Sequence, residues 1–143
     1  MTKIAYTTTA TAEHGGRGGG TTATDDGKVA VKLSVPKAMG GDDGPGTNPE
    51  QLFAMGYSAC FLGAMKAAAG RAKKQLPEDT TVQASVSFAD REDNVGFTIV
   101  AALTAKVPGW SKEDTETLMK SAHDICPYSD LIRKQHDVEL KAA

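Results

Sequence analysis

The sequence predicts an α+β fold in which antiparallel strands from both ends of the chain surround one buried central helix. Segments that alternate apolar and polar residues occur before and after a long apolar run, and that run begins with strong helix-start signals. The chain has 143 residues, of which 40% are hydrophobic and 24% charged. This length and composition fit a single domain, residues 1–143, with its own hydrophobic core.

The N-terminal part of the chain predicts a small antiparallel sheet. The segment "KIAYTTTATA", rich in Thr and in β-branched or aromatic residues, predicts a strand that ends at the glycine cluster "GGRGGG". The segments "TTAT" and "KVAVKLSV" predict two further strands, and Asp26-Gly27 between them is a hairpin signal. The glycine- and proline-rich segment "PKAMGGDDGPGTNPE" then predicts a long irregular loop.

The central helix is predicted from its own start signals. Asn48 is a favourable N-cap, Pro49 suits the first helical position, and Glu50 places a negative charge in the first turn. Apolar or small residues then continue from Leu52 to Met65. Because these residues occupy every face of the helix, we expect it to be buried nearly all round. One small sheet is too little to cover such a helix, so the sequence predicts an intertwined homodimer.

The second half of the chain predicts two strands, a helix and a last strand. The segments "TVQASVSFAD" and "GFTIVAALTAKV" alternate well enough for antiparallel strands joined through "REDN". Ser111 predicts the start of a second helix that ends near Cys126 and Pro127. In the tail "HDVELKA", the alternation of Val138 and Leu140 predicts a final edge strand.

Charge and hydropathy narrow the classes of partner. Sixteen Lys and Arg against eighteen Asp and Glu give a net charge of −2, which provides no broad cationic field for nucleic acid or anionic lipid. The N-terminus has no apolar signal segment, and no stretch approaches the roughly 20 apolar residues of a membrane span. We therefore expect a cytoplasmic protein without membrane insertion. In a reducing compartment, the two cysteines indicate inert thiols, a metal site or redox chemistry.

Cys60 and Cys126 can be interpreted as packing residues or as a reactive pair. Free cysteine is often buried, and a thiol surrounded by apolar residues should have a raised pKa, so Cys60 needs a nearby cation to be nucleophilic. Arg17, alone among five glycines, is the candidate cation, although a flexible turn is an adequate structural explanation for that cluster. Glu50 could orient a guanidinium through a bidentate pair, or simply favour the helix N-terminus.

The segments "TNPEQLFAMGYSACFLGAM", "AHDICPYS" and "EHGGRGGG" together resemble the organic hydroperoxide resistance branch of the osmotically inducible protein C (OsmC/Ohr) family. "TNPEQLFAMGYSACFLGAM" resembles its central motif, with an acid after Asn-Pro and the reactive cysteine ten positions later. "AHDICPYS" resembles its second motif, with a cysteine before Pro-Tyr-Ser, and "EHGGRGGG" resembles its N-terminal arginine loop. The resemblance covers essentially the whole chain. It departs at "SDLIRKQHDVEL", where an apolar and basic turn replaces a short polar link.

The resemblance implies a role for each of four residues. Cys60 would be the peroxidatic cysteine and Cys126 the resolving cysteine, while Arg17 and Glu50 would activate Cys60 and orient the peroxide. The implied activity is the reduction of organic hydroperoxides to alcohols in the response to oxidative stress, through a Cys60 sulfenic acid and a Cys60–Cys126 disulfide. No bound cofactor or metal is implied. The implied reductant is an external dithiol of the lipoyl type, carried by a reducing protein.

The spacing of two of these residues creates a geometric conflict. In a continuous helix, the ten residues from Glu50 to Cys60 would extend about 15 Å along the axis, which a carboxylate side chain cannot bridge. Either the helix breaks near Gly56, or Glu50 and Arg17 reach Cys60 from the other subunit of the homodimer. A helix break and a site shared between two subunits can also occur together.

The same chain suggests three other functions: a metal site, a binding module and a phosphate-binding loop. A metal site could use Cys60, Cys126, His123 and His14, although only His123 and Cys126 have a helical spacing. A binding module for a fatty acid would need an apolar pocket but neither both thiols nor Arg17. A phosphate-binding loop is excluded at the glycine cluster, because no Lys-Ser or Lys-Thr follows it.

Overall fold

The structure is a computed structural model that describes residues 2–134 and 136–143. Its contacts divide the chain into two compact units, residues 1–52 and residues 53–143. The first unit holds a three-stranded sheet, and the second holds a two-stranded sheet and most of the helical residues. The predicted α+β class with antiparallel strands is confirmed.

The sheet of the first unit is antiparallel, in the order β1-β2-β3. Its strands are β1, Ala10–Glu13, β2, Thr21–Thr24, and β3, Ala30–Lys32, with single turns of 3₁₀ helix at Gly16–Gly18 and Lys37–Met39. The hairpin predicted at Asp26-Gly27 is confirmed. Asp26 Oδ1 accepts hydrogen bonds from Thr24 Oγ1 at 2.7 Å and from the Lys28 N–H at 3.0 Å, which closes the turn between β2 and β3.

Helix α1, Pro49–Arg71, begins where its sequence signals placed it. The N–H of Gln51 donates to Asn48 Oδ1 at 2.8 Å, so Asn48 is the N-cap. The helix is unbroken through Gly56, so the first of the two alternatives, a break near Gly56, does not occur. Glycine costs roughly 1 kcal/mol relative to alanine in a helix interior, which the packing of a long helix outweighs.

Within this chain, α1 is buried on one face rather than nearly all round. Its buried residues are Tyr57, Phe61, Ala64, Met65, Ala68 and Ala69. In contrast, Met55 is 67% exposed on the same helix. The prediction of all-round burial therefore does not hold for the single chain, because the elements that pack against α1 cover only one side of it.

The second unit continues with a long hairpin and two helices. Strands β4, Thr81–Asp90, and β5, Phe97–Lys106, pair antiparallel along their full length, as predicted. Helix α2, Lys112–Ile125, has the predicted N-cap, since Ser111 Oγ accepts from the Asp114 N–H at 3.1 Å. Helix α3, Pro127–Lys134, follows directly. The core consists of the buried face of α1 together with Val107, Leu118, Ala122 and Cys126.

Three local predictions differ from the structure. The segment after Cys126 forms α3 instead of a turn. The tail 136–143 forms no strand, because no strand of this chain pairs with it; Val138 is 75% and Leu140 89% exposed. At the other end, only the last part of the predicted first strand pairs, in β1, while Ile4 and Tyr6 are exposed.

Among the residues that the structure describes, α1 is the one helix whose length and apolar composition would allow it to cross a membrane. The expectation that no segment approaches the length of an apolar membrane span is therefore wrong by this measure of length and composition. Core helices of water-soluble proteins satisfy the same measure, and the buried face of α1 packs in the core described above.

Candidate active site

The two cysteines lie in contact. The thiol of Cys126 donates a hydrogen bond to Cys60 Sγ at a sulfur–sulfur distance of 3.5 Å, and both are free thiols. Cys60 lies on α1 between the buried residues Tyr57 and Phe61 and is itself partly exposed. This geometry suits a pair that can alternate between two thiols and a disulfide.

Cys126 is held at the junction of two helices. Its side chain is fully buried, and its N–H closes the last turn of α2 by donating to the Ala122 oxygen at 2.8 Å. Its own carbonyl accepts from the Asp130 N–H at 2.9 Å, which forms the first hydrogen bond of α3. Because backbone bonds hold it on both sides, the direction of its sulfur is set by α2 and α3 together.

Burial raises the pKa of the Cys60 thiol above its ordinary value. The backbone N–H of Tyr128, in the first turn of α3, donates to the sulfur and lowers this pKa, whereas the hydrogen bond from Cys126 raises it. Desolvation is the largest effect, so the thiol is the favoured form at neutral pH. A nucleophilic role for Cys60 therefore requires an additional positive charge.

Aromatic rings pack against one another on the helices α1 and α3, next to the thiol pair in the sequence. The ring of Tyr128 lies 5.8 Å from those of both Phe53 and Tyr57, and Tyr57 meets Phe61 edge to face at 6.3 Å. Gly56 makes room for the Tyr128 ring, because a Cβ at position 56 would lie 2.6 Å from the Tyr128 hydroxyl. The glycine that suggested a helix break thus serves side-chain packing.

A cavity of 410 Å³ opens beside these rings. Most of its lining is apolar, and it includes two basic side chains. The lining residues are Phe53, Tyr57, Ile99, Ala101, Leu103, His123, Ile132 and Arg133. A cavity of this volume and character can hold an alkyl group of moderate length.

Arg17 and Glu50 form a bidentate ion pair in the first unit. Arg17 Nη1 and Nη2 donate to the two Glu50 oxygens at 2.8 and 2.7 Å. Arg17 lies in the 3₁₀ turn Gly16–Gly18. Gly19, which follows this turn, has a φ of 122°, a backbone angle that residues other than glycine rarely adopt. The hydrogen bonds from Arg17 hold the pKa of Glu50 below its ordinary value, so this carboxylate is ionised.

The four predicted site residues therefore form two pairs, Cys60 with Cys126 and Arg17 with Glu50, and each pair lies within one compact unit. Sequence reasoning missed the Tyr128 N–H and a buried hydrogen bond between Tyr57 and Ser129. The sequence signal for α3 was Pro127, because proline favours the first position of a helix. Helix α3 carries both the Tyr128 N–H and the Ser129 hydroxyl.

The four proposed metal ligands are not gathered in one group. In residues 2–134 and 136–143, no cluster of three or more His, Cys, Asp or Glu side chains has the geometry of a metal site. His14 lies 3.8 Å from Glu13, and His123 lines the 410 Å³ cavity.

Relatives and solved structures resemble this chain over nearly its whole length. The organic hydroperoxide resistance protein of Xanthomonas axonopodis pv. citri is 47% identical over 141 residues, 99% of this chain and 96% of that protein. Among solved structures, an organic hydroperoxide resistance protein from Legionella pneumophila has 42% identity and a TM-score of 0.83, covering 96% of each chain. OhrB of Bacillus subtilis has 35% identity and a TM-score of 0.80, covering 96% of this chain and 98% of that one.

The family described as OsmC-like protein matches residues 40–141, a segment that includes both cysteines. This match agrees with the identity to relatives over the full length and with the shared fold. The chain therefore belongs to the OsmC-like protein family.

Proposed function

We propose that the chain is a two-cysteine peroxidase that reduces organic hydroperoxides to alcohols and protects against oxidative stress. The observation that carries this proposal is the 3.5 Å contact between the Cys60 and Cys126 sulfurs beside an apolar cavity. The names of the relatives, which are organic hydroperoxide resistance proteins, support the substrate class. An apolar cavity favours an alkyl or lipid hydroperoxide over hydrogen peroxide, which has no apolar group to bury.

In the first half of the cycle, the Cys60 thiolate attacks the distal oxygen of the hydroperoxide. The S–O bond forms as the O–O bond breaks, and the alkoxide takes a proton and leaves as the alcohol. Cys60 is thereby oxidised to a sulfenic acid. The aromatic side chains near the thiol exclude water from the alkyl group while this step occurs.

In the second half, the thiol of Cys126 attacks the sulfenic acid, the S–S bond forms, and water leaves. The sulfurs are 3.5 Å apart, so they must approach by roughly 1.5 Å to reach disulfide length. A shift of that size needs no unfolding of either helix. An external dithiol, which we propose to be of the lipoyl type and carried by a reducing protein, then returns both cysteines to thiols.

We propose that the positive charge required by Cys60 comes from Arg17, oriented by Glu50. Since α1 is unbroken, ten helical residues separate Glu50 from Cys60, about 15 Å along the axis. This separation favours the second of the two alternatives, in which Arg17 and Glu50 act on the Cys60 of the other subunit of a homodimer.

Exposed apolar residues support the homodimer. Phe97, Ile99 and Val100 on β5 are 64%, 43% and 58% exposed, and an isolated two-stranded sheet is only marginally stable. Met55 on α1 is exposed as well. A second copy of the chain that covers these residues would complete the burial of α1 and β5, with two active sites per dimer. We further propose that the protein is cytoplasmic, where dithiol reductants keep thiols reduced.

The test is a peroxidase assay of the purified protein with cumyl hydroperoxide, a fatty-acid hydroperoxide and hydrogen peroxide, each with dihydrolipoamide or a monothiol as reductant. We expect efficient turnover only with the organic hydroperoxides and the dithiol. Without reductant, we expect the loss of both free thiols for each molecule of peroxide reduced. A protein that binds fatty acid but keeps both thiols under peroxide would instead be a binding module.

A further inference from the structure

A buried hydrogen bond lies next to the two cysteines. The hydroxyl groups of Tyr57, on α1, and Ser129, in the first turn of α3, are 2.7 Å apart. Ser129 is fully buried and Tyr57 is only 4% exposed. Two buried hydroxyls that satisfy each other tie their helices together, since the loss of either leaves the other without its partner.

This hydrogen bond joins the two helices that determine the geometry of the thiols. Cys60 follows Tyr57 by three residues on α1, which places both on neighbouring positions of one helix face. Cys126 precedes Ser129 by three residues, and the Tyr128 N–H between them donates to Cys60 Sγ. A displacement of the first turn of α3 away from α1 would move both the Cys126 sulfur and the Tyr128 N–H away from Cys60.

We propose that Tyr57 and Ser129 are positioning residues, whose hydrogen bond holds the Tyr128 N–H and the Cys126 sulfur against Cys60. This inference rests on the proposed peroxidase function and assigns the two residues to both halves of its cycle. A closely held N–H stabilises the thiolate that attacks the hydroperoxide. A closely held Cys126 sulfur shortens the lifetime of the sulfenic acid.

A purely structural role would have a different consequence. If the two hydroxyls only stabilised the core, their removal would lower the melting temperature and leave the properties of Cys60 unchanged in the folded protein. The positioning role requires changes in two quantities that stability does not affect, the pKa of Cys60 and the rate of disulfide formation.

The experiment compares Tyr57→Phe and Ser129→Ala with the parent protein. Each variant removes one hydroxyl and keeps most of the packing. The pKa of Cys60 is measured by the pH dependence of alkylation in a Cys126→Ser background. Disulfide formation is measured with diamide, which accepts two electrons and two protons from the two thiols. We expect a Cys60 pKa higher by about one unit and disulfide formation slower by about tenfold.

Two further variants make the comparison specific. Ser58→Ala is the matched control, because Ser58 lies next to Tyr57 on α1 and its hydroxyl donates to the Met55 oxygen of its own helix, at 3.0 Å. It should leave both quantities unchanged. Ser129→Thr keeps a hydroxyl and should restore them, and the double variant Tyr57→Phe/Ser129→Ala should be no worse than either single variant.

The outcomes separate this inference from the proposed function. A parent-like Cys60 pKa and disulfide rate in folded Tyr57→Phe and Ser129→Ala would overturn the positioning role, even if the protein is an active peroxidase. The diamide and alkylation measurements do not depend on peroxide. If the protein failed to reduce hydroperoxides but both quantities shifted as expected, the positioning role would stand and the peroxidase proposal would fall.

Discussion

The ion pair of the first unit and the thiol pair of the second are held by different forces. Arg17 and Glu50 meet through two charged hydrogen bonds, with 42% and 11% of their side chains exposed, on a turn shaped by glycine. Cys60 and Cys126 meet through helix packing, and Cys126 is fully buried. The guanidinium of Arg17 is thus kept where water still reaches it, whereas the Cys126 thiol is kept where neighbouring side chains exclude water.

The difference has a chemical consequence. Burial raises the pKa of Cys60, which opposes formation of the thiolate. The Arg17–Glu50 pair has the charge but no nucleophile. The proposed peroxidase cycle therefore uses both pairs.

The largest expected effect is in the thiol pair. Cys60→Ser should abolish the consumption of hydroperoxide, because only this thiol attacks the O–O bond. Cys126→Ser should still consume about one equivalent and stop at the sulfenic acid, which a dimedone label detects by mass spectrometry. Equal loss of the first turnover in both variants would contradict this order of events.

The ion pair should affect the rate and not the fold. Arg17→Ala should slow the reaction by a factor on the order of 10² or more, because the cation stabilises the thiolate and the transition state. The matched control is Arg91→Ala, which removes another partly exposed arginine, one paired with Asp93. Stopped-flow rates and the pH dependence of Cys60 alkylation test the prediction, and an unchanged Cys60 pKa in Arg17→Ala would argue against it.

The origin of the cation can be tested by mixing two inactive chains. Cys60→Ser and Arg17→Ala chains, refolded together, should regain activity toward one site per heterodimer if the ion pair acts across subunits. Native mass spectrometry measures the fraction of heterodimer. An inactive mixture that contains heterodimers would show that both pairs of one site belong to the same chain.

A smaller effect concerns two of the three glycines of α1. Gly56→Ala should lower the free energy of unfolding by about 1 kcal/mol, because its Cβ would displace the Tyr128 ring. Gly63→Ala is the matched control: nothing lies within 4 Å of a Cβ there, so it should stabilise by roughly 0.5–1 kcal/mol through helix propensity. Urea unfolding measures both. A Gly56 variant as stable as the Gly63 variant would exclude the close packing of Tyr128.

The smallest effect is the contribution of the ion pair to stability. The pKa of Glu50 is lowered in the folded state, so its contribution is present above the ordinary pKa of glutamate and is lost as the pH falls through the lowered value. Since Arg17 is 42% exposed, this contribution should be less than about 1 kcal/mol. Glu50→Gln should therefore be slightly less stable than the parent at neutral pH, with the difference vanishing in acid. A difference that grows on acidification would contradict the assignment.

Local signals allowed much of the fold to be predicted. The cap at Asn48, the hairpin at Asp26-Gly27 and the cap at Ser111 depend on side chains that bond to backbone within a few residues. The alternation of apolar and polar residues likewise indicates β4 and β5 separately, each from its own residues. Such features are readable because the interacting groups are neighbours in the sequence.

Elements that depend on distant partners were predicted less well. Helix α3 has only eight residues, and its stability comes from contacts such as the Ser129 hydroxyl with Tyr57 and the Arg133 guanidinium with the His123 oxygen at 3.1 Å. The tail strand was predicted from alternation alone, but a strand also needs a neighbour with free backbone groups.

Sequence patterns alone predicted the α+β class, the caps of α1 and α2, the family resemblance and four candidate site residues. The folded chain was needed to show that α1 continues through Gly56, that the Tyr128 N–H reaches Cys60, and that Tyr57 bonds to Ser129. The physical reason is that each of these depends on how side chains far apart in the sequence fill the same space. Periodicity and composition indicate which residues are buried, but they do not indicate which residues those side chains contact.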